Sequence, residues 1–341
     1  MHLTKVNPVP APPPTPPSPQ RQRSAVRLLL ILLLLALPPL LTGLAIYGRG
    51  PLTADKNIVI PQGASVRDIA ALLRQQGAVN NPLVFRLAAR LIARDKLHAG
   101  EFAFAAGQSI ADQIAMLRDE SRVIVRRFTV PEGLTSWEIV GLLRDEPALS
   151  GEIADIPADG ELLPETYHFG YGDNRQGLID RMRKGQRALL GQLWEKRAAD
   201  LPIQTPEQAM VMASLVEKET GKKAEERPRV AGVFYNRLRL NMRLQSDPTA
   251  IYALTQGQGP LSRELTREDL TRPSPFNTYA SDGLPPSPIC NPGRAAIEAA
   301  LHPEANDFLY FVADGTGGHA FAKDLATHNR NVARWLKLAR P

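Results

Sequence analysis

The sequence predicts an α+β protein carried behind a single N-terminal transmembrane helix, with a mixed α+β domain at its C-terminal end. Three observations predict this class. An uncharged run of twenty residues near the start is long enough to cross a bilayer as a helix. A pattern of short apolar strand, Gly turn and amphipathic helix then recurs along the chain. After the helix that starts at Thr205, helical periodicity yields to Pro-, Gly-, Asn- and Asp-rich stretches with short apolar runs. With 341 residues and 43% hydrophobic content, the chain can build one or two sizeable cores.

The run is "LLLILLLLALPPLLTGLAIY", Leu28 to Tyr47, and the span is placed at residues 27–47. Pro38 and Pro39 within it are tolerated better in membrane helices than in soluble ones. A cleaved signal peptide ending near Gly43-Leu44-Ala45 is the competing reading, but signal peptides have shorter apolar cores. Lys5, Arg21, Arg23 and Arg27 precede the span with no acidic residue, so the N-terminus is expected in the cytoplasm and the remainder across the inner membrane, in the periplasm. Residues 1–26, with "PVPAPPPTPPSP", read as a disordered cytoplasmic tail, and residues 48–56 as a linker. Those four cations belong to a formal charge of +6, which leaves +2 for the exported part and no electrostatic case for nucleic acid. Cys290 is the single cysteine, so no intramolecular disulfide can form and the fold must rest on packing.

The repeat comes next. "IVIPQGASVRDIAALLRQQ" from Ile58 and "FTVPEGLTSWEIVGLLRDE" from Phe128 share Pro61/Pro131, Gly63/Gly133, Ile69/Ile139, Leu73/Leu143 and Arg74/Arg144 in register. A weaker copy, "AAGQSIADQIAMLRDE", places Gly107, Asp112, Leu117 and Arg118 at the same offsets. Each predicts a capped helix, through Ser65 with Asp68, Ser109 with Asp112 and Thr135 with Glu138. Units this small cannot bury their apolar faces alone and should pack together. They resemble LysM modules, which bind peptidoglycan glycan, and a LysM-like region is therefore expected over residues 57–146. A purely structural spacer is the alternative.

The helix from Thr205 carries the chemistry of interest. Thr205 suits the N-cap, Pro206 the first position, Gln208 a capping box and Gly221 the stop. Its apolar body ends in "MASLVEKETG", with Glu217 and Glu219 one residue apart. A buried carboxylate is normally paired, protonated or used in chemistry. On the helical wheel Glu219 faces the more apolar side, beside Met212, Leu215 and Val216. Against that, Lys223 lies four residues on, in the favourable orientation for an exposed ion pair with Glu219. The wheel alone leaves the two acids open.

"ASLVEKET", "NRLRLNMRLQSDPTAIYAL", "FNTYASDGLPPSPICNPG" and "FLYFVADGTGGHAFAKDLATHN" resemble the endolytic murein transglycosylase family, also called YceG-like or MltG. The resemblance covers the whole layout and implies a catalytic domain over residues 147–341. It implies a lyase that cleaves between N-acetylmuramic acid and N-acetylglucosamine without water, leaving 1,6-anhydro ends. One Glu serves as acid and then base, and the resemblance assigns that role to Glu217, with Glu219 ranked second. Gln245, Asn277, Tyr279 and His319 fall in family-like motifs as candidate substrate contacts, while Asn236, Arg237 and Asp247 could instead hold the motifs together. No cofactor or metal is implied, since His319, Asp324 and His328 match no usual ligand spacing. The implied partners are glycan strands, the membrane, and wall-synthesising enzymes such as penicillin-binding proteins. A noncatalytic wall tether and a hydrolytic muramidase with Asp247 or Asp282 as second carboxylate are the alternatives.

Overall fold

The computed structural model describes residues 19–93, 97–221 and 223–339. The chain divides into two compact units, Met1–Ile124 and Val125–Pro341.

The first unit begins with α1, Pro19–Tyr47, whose leucines are largely exposed along its length. The helix is long and apolar enough to cross a membrane. It starts eight residues before the expected span, so residues 19–26 are helical rather than part of a disordered tail; the rest of that tail lies outside the described residues. Strand β1 (Lys56–Ile60) leads through a turn at Gly63, where φ is +74°, into α2 (Val66–Gln75). The Ser65–Asp68 capping box is formed in both directions. Helix α3 (Pro82–Ile92) follows, and β2 (Gly100–Phe104) returns antiparallel to β1 with Ile58 opposite Phe102. Helix α4 (Ile110–Leu117) is capped by Ser109. Ile58, Ile69, Leu73, Phe85, Phe102 and Ile114 make the core. The expected linker is partly built into this unit: Gly50 N–H donates to Gly107 O and Gly107 N–H to Leu52 O, which buries Leu52.

In the second unit, β3 (Val125–Thr129) and α5 (Ser136–Asp145) form the last repeat copy, with the Gly133 turn at φ +78° and the Thr135–Glu138 capping box complete. Strand β4 (Thr166–Gly170) pairs antiparallel with β3, Phe128 opposite Tyr167. This ladder moves the boundary from the expected residue 147 to residue 125, because the strand that completes β3 comes from beyond the repeat. Helix α6 (Arg175–Trp194) buries Ile179 and Met182 in the same hydrophobic cluster as Ile139 and Leu143 of α5.

Helix α7 (Pro206–Glu219) is the axis of the main core, buried continuously from Ala209 to Val216. Thr205 caps it, although Gln208 completes no box because its side chain accepts from Gln204 N–H instead. Helices α8 (Arg227–Arg239), α9 (Asp247–Thr255), α10 (Arg267–Thr271) and α11 (Arg294–Leu301) follow, and α11 packs most extensively against α7. The expected hairpin forms as β5 (Tyr310–Ala313) and β6 (His319–Ala322), with Gly315 and Gly317 at positive φ between them. Helix α12 (Leu325–Ala339) closes the chain.

Candidate active site

The open end of α7 puts its two carboxylates into different surroundings. Glu217 Oε1 accepts from an Arg227 guanidinium N–H at 3.0 Å, and Oε2 accepts from Gly293 N–H at 2.9 Å. Gly293 caps the start of α11, where backbone N–H groups carry partial positive charge. Both donors match a carboxylate anion, and the Glu217 side chain is only 6% exposed. Arg227, at the first position of α8, also lies 3.5 Å from Glu132, in the Gly turn of the last repeat copy. Burial and the charge of Glu217 push the Glu132 carboxyl up from its ordinary value. Glu132, Arg227 and Glu217 therefore form an acid–arginine–acid clamp tying the end of α7 to two other segments, and Gly293 ties it to a third.

Among the described residues, Glu219 has no such ion-pair partner. Its Oε1 accepts a 2.5 Å hydrogen bond from Ser246 Oγ, at the N-cap of α9. Burial pushes the Glu219 carboxyl up to about 7, opposed by the Ser246 hydrogen bond, raised further by the charge of Asp247 and lowered by Arg237. Packed atoms crowd the carboxyl, yet part of the residue stays open to solvent. The expected exposed pair with Lys223 does not form. Helix α7 ends at Glu219, so the helical spacing of four no longer applies, and Lys223 reaches Asp314 and Thr316 instead. Glu219 combines desolvation with access, which a general acid requires.

The titration of Glu219 has a testable sign. Its folded value lies above the ordinary 4.5, so the native state holds the proton more tightly between those values. The cost of burying the charge is absent below pH 4.5, grows as pH rises through the window, and is complete above about 7. Glu219→Gln cannot ionise and is expected to gain stability over the parent as pH rises, by up to ~3 kcal/mol at pH 8. Urea melts of both proteins at pH 4 and pH 8 measure this. A difference that stays constant with pH would mean that Glu219 titrates normally.

The loops place the remaining candidates unevenly. Gln245 sits beside Ser246 with an exposed side chain and a left-handed backbone (φ +51°), a strained conformation that tends to collect at functional sites. Asp247 opens α9 and accepts from Tyr279 Oη–H at 2.6 Å. Burial and that bond raise the Tyr279 hydroxyl well above its usual range. Gln245, Ser246, Asp247 and Tyr279 thus gather around Glu219. His319 pairs through Nδ1 with Glu226 at 2.8 Å, the residue before Arg227, and its ring meets Phe311 edge-on. Asp324 accepts from Thr327 N–H near the start of α12, and His328 stacks on Tyr310, so these three residues have separate structural tasks.

Two expected contacts are framework residues. Asn277 is 1% exposed; its amide donates to the carbonyls of Asp269, Leu270 and Arg272, and its oxygen accepts from Tyr279 N–H. Asn236 donates to the carbonyls of Asn306 and Phe308. Arg237 likewise donates to the carbonyls of Leu309 and Leu244. Asn277→Ala would remove the amide that serves one buried and two partly buried carbonyls and is expected to cost about 2 kcal/mol in urea denaturation. A variant of normal stability with weakened glycan binding would return Asn277 to the substrate. Ser246, Arg227 and Glu132 escaped the sequence reading. For Ser246 the signal was its place between Gln245 and Asp247, whereas nothing local connects Glu217 with Arg227.

Two desolvated carboxyl groups at the end of a buried helix, one held by an arginine and a backbone amide and the other beside hydroxyl groups, make a site of the kind general acid–base catalysis uses. A family model described as the YceG-like family matches residues 58–334, and the chain belongs to that family. The chain is 29% identical over 335 residues to a Bacillus subtilis (strain 168) protein named endolytic murein transglycosylase, covering 87% of this chain and 91% of that one. It is 30% identical over 318 residues to a Streptococcus pneumoniae serotype 2 (strain D39) protein of the same name, covering 80% of this chain. The chain spans 57% of the length of that pneumococcal relative. A crystal structure of a yceG-like protein from Listeria monocytogenes aligns with a TM-score of 0.48 at 29% identity, over 82% of this chain and 99% of that one.

Proposed function

We propose that this chain is a lytic transglycosylase that cleaves peptidoglycan glycan between N-acetylmuramic acid and N-acetylglucosamine, with Glu219 as its acid and base. The observation that carries the reading is the Glu219 carboxyl at the open end of α7, held by the Ser246 hydroxyl at 2.5 Å and pushed up to about 7 by burial. The names of the relatives support the substrate class. Protonated Glu219 gives its proton to the glycosidic oxygen as the C1–O bond breaks, releasing the N-acetylglucosamine hydroxyl. The oxocarbenium-like C1 is captured by the 6-hydroxyl of the same muramic acid, whose proton passes to the Glu219 carboxylate. The acid is regenerated, no water is consumed and a 1,6-anhydro ring remains. Ser246 donates to the carboxylate throughout and stabilises it in its charged interval.

A hydrolase would need a second carboxylate to activate water or form a glycosyl intermediate. Asp282 is ion-paired to Arg243 at the surface, and Asp247 is engaged by Tyr279, which favours the single-acid route. Mass spectrometry of digested peptidoglycan separates the readings. Anhydro ends support the transglycosylase, reducing ends a muramidase, and intact strands a noncatalytic tether.

In this reading α1 anchors the enzyme in the inner membrane with its N-terminus cytoplasmic and its second unit periplasmic, beside penicillin-binding proteins that make the strands. Basic residues before the span support that orientation. Recovery of soluble periplasmic protein beginning near Ile46 would remove the anchor. The LysM-like reading of the repeats is tested by pull-down with sacculi. The fragment should end at Ile124, because ending at residue 146 separates β3 from β4.

A further inference from the structure

A groove of about 570 Å³ runs away from Glu219 along α9, and nothing in the proposed chemistry uses it. It begins beside the acid: Lys218 and Asp247 line it, and these are the chain neighbours of Glu219 and Ser246. Its far wall comes from the last repeat copy, through Thr135 and Glu138. The two walls are tied together, since Thr135 Oγ–H donates to Gly257 O at 2.7 Å. Trp137, 45% exposed, lies on the first turn of α5 between the lining residues Thr135 and Glu138 in sequence. Gly259 lines the groove at φ +118°, and even a methyl group there would touch the edge of the Trp137 ring, at 3.7 Å. The loop at Gly259 therefore lies within van der Waals reach of the indole, which keeps 45% of its surface exposed.

We infer that this groove is a remote subsite for further sugar residues of the strand being cleaved, with Trp137 as the stacking platform. The inference rests on the transglycosylase reading for its ligand. An N-acetylated sugar ring has apolar C–H faces and a polar rim, and an indole offers a broad flat face for the former. Glu138 and Asp247 supply acceptors for the rim and Lys218 and Arg263 supply donors, and the groove falls in the size class of small-molecule sites. The last repeat copy then acts as part of the catalytic unit, holding the strand in register with Glu219 while the first unit lies outside this task. The equivalent position in the first copy is Arg67, so the aromatic belongs to the copy that borders the groove.

The experiment uses the full chain in detergent with purified peptide-free glycan strands. Trp137→Ala is expected to raise KM for long strands three- to tenfold, the loss falling on KM rather than kcat, with Trp137→Tyr recovering most of it. In a Glu219→Gln background, Trp137→Ala is expected to weaken strand binding by the same factor, while binding of a disaccharide fragment is unaffected. Unchanged KM and unchanged strand affinity overturn the subsite and leave the transglycosylase reading intact. Strand binding that depends on Trp137 in a chain that cleaves nothing upholds the subsite and overturns the enzyme reading. Equal losses for the disaccharide and the long strand place Trp137 at the scissile bond and also overturn the subsite.

Discussion

Glu219→Gln is expected to abolish formation of anhydro ends while strand binding survives. The amide keeps the size of the side chain and can still accept from Ser246, but it has no proton to give to the glycosidic oxygen. Loss of general acid catalysis alone typically costs about 10²–10⁴-fold, and one residue serving as both acid and base should sit at or above the upper end. Turnover of the parent should also fall as pH rises through about 7, because the acid is then ionised before the bond breaks. Single-turnover digestion followed by mass spectrometry measures the first effect, and kcat/KM from pH 5 to 9 the second. Activity that persists in Glu219→Gln, or a rate that keeps rising past pH 8, would sink this assignment.

For Glu217→Gln the expected loss is in stability. The Arg227 guanidinium is 13% exposed and loses its short partner, keeping only Glu132 at 3.5 Å. Breaking a buried ion pair from one side costs about 3–5 kcal/mol, and the remaining acid puts this case near 3. Chemical denaturation reads the loss directly, and the double variant with Arg227→Met should restore part of it by removing the stranded charge. Turnover by the folded fraction should fall far less than in Glu219→Gln, since Glu217 positions the end of α7 and gives no proton. The opposite pattern, a stable Glu217→Gln that makes no anhydro ends beside an active Glu219→Gln, would return the acid role to Glu217.

The sequence by itself determined whatever depends on neighbours along the chain. The Pro–x–Gly turns at Gly63 and Gly133, the caps at Ser65, Ser109 and Thr135, and the start of α7 at Thr205 are all formed as the local pattern predicts. Period 3.6 also told which carboxylate faces the apolar side of α7, and Glu219 is the one that burial perturbs. Tertiary structure decided what depends on residues brought from far away. Helix α7 stops at Glu219, which removes Lys223 as a partner, and the chain then turns to deliver Arg227 to Glu217. The Gly293 amide and the Ser246 hydroxyl arrive from 76 and 27 positions along the chain. Strand β3 finds its ladder in β4, so the last repeat copy joins the second unit although its sequence likeness points to the first. Asn277, whose motif suggested a sugar contact, spends its amide on three carbonyls at the C-terminal end of α10, which have no further helical turn to bond them. Hydrogen-bond satisfaction and charge pairing act between atoms within about 3–4 Å in space whatever their separation in sequence. Periodicity could therefore say that an acid is buried, but only the folded chain could say which acid is paired and which is left to carry a proton.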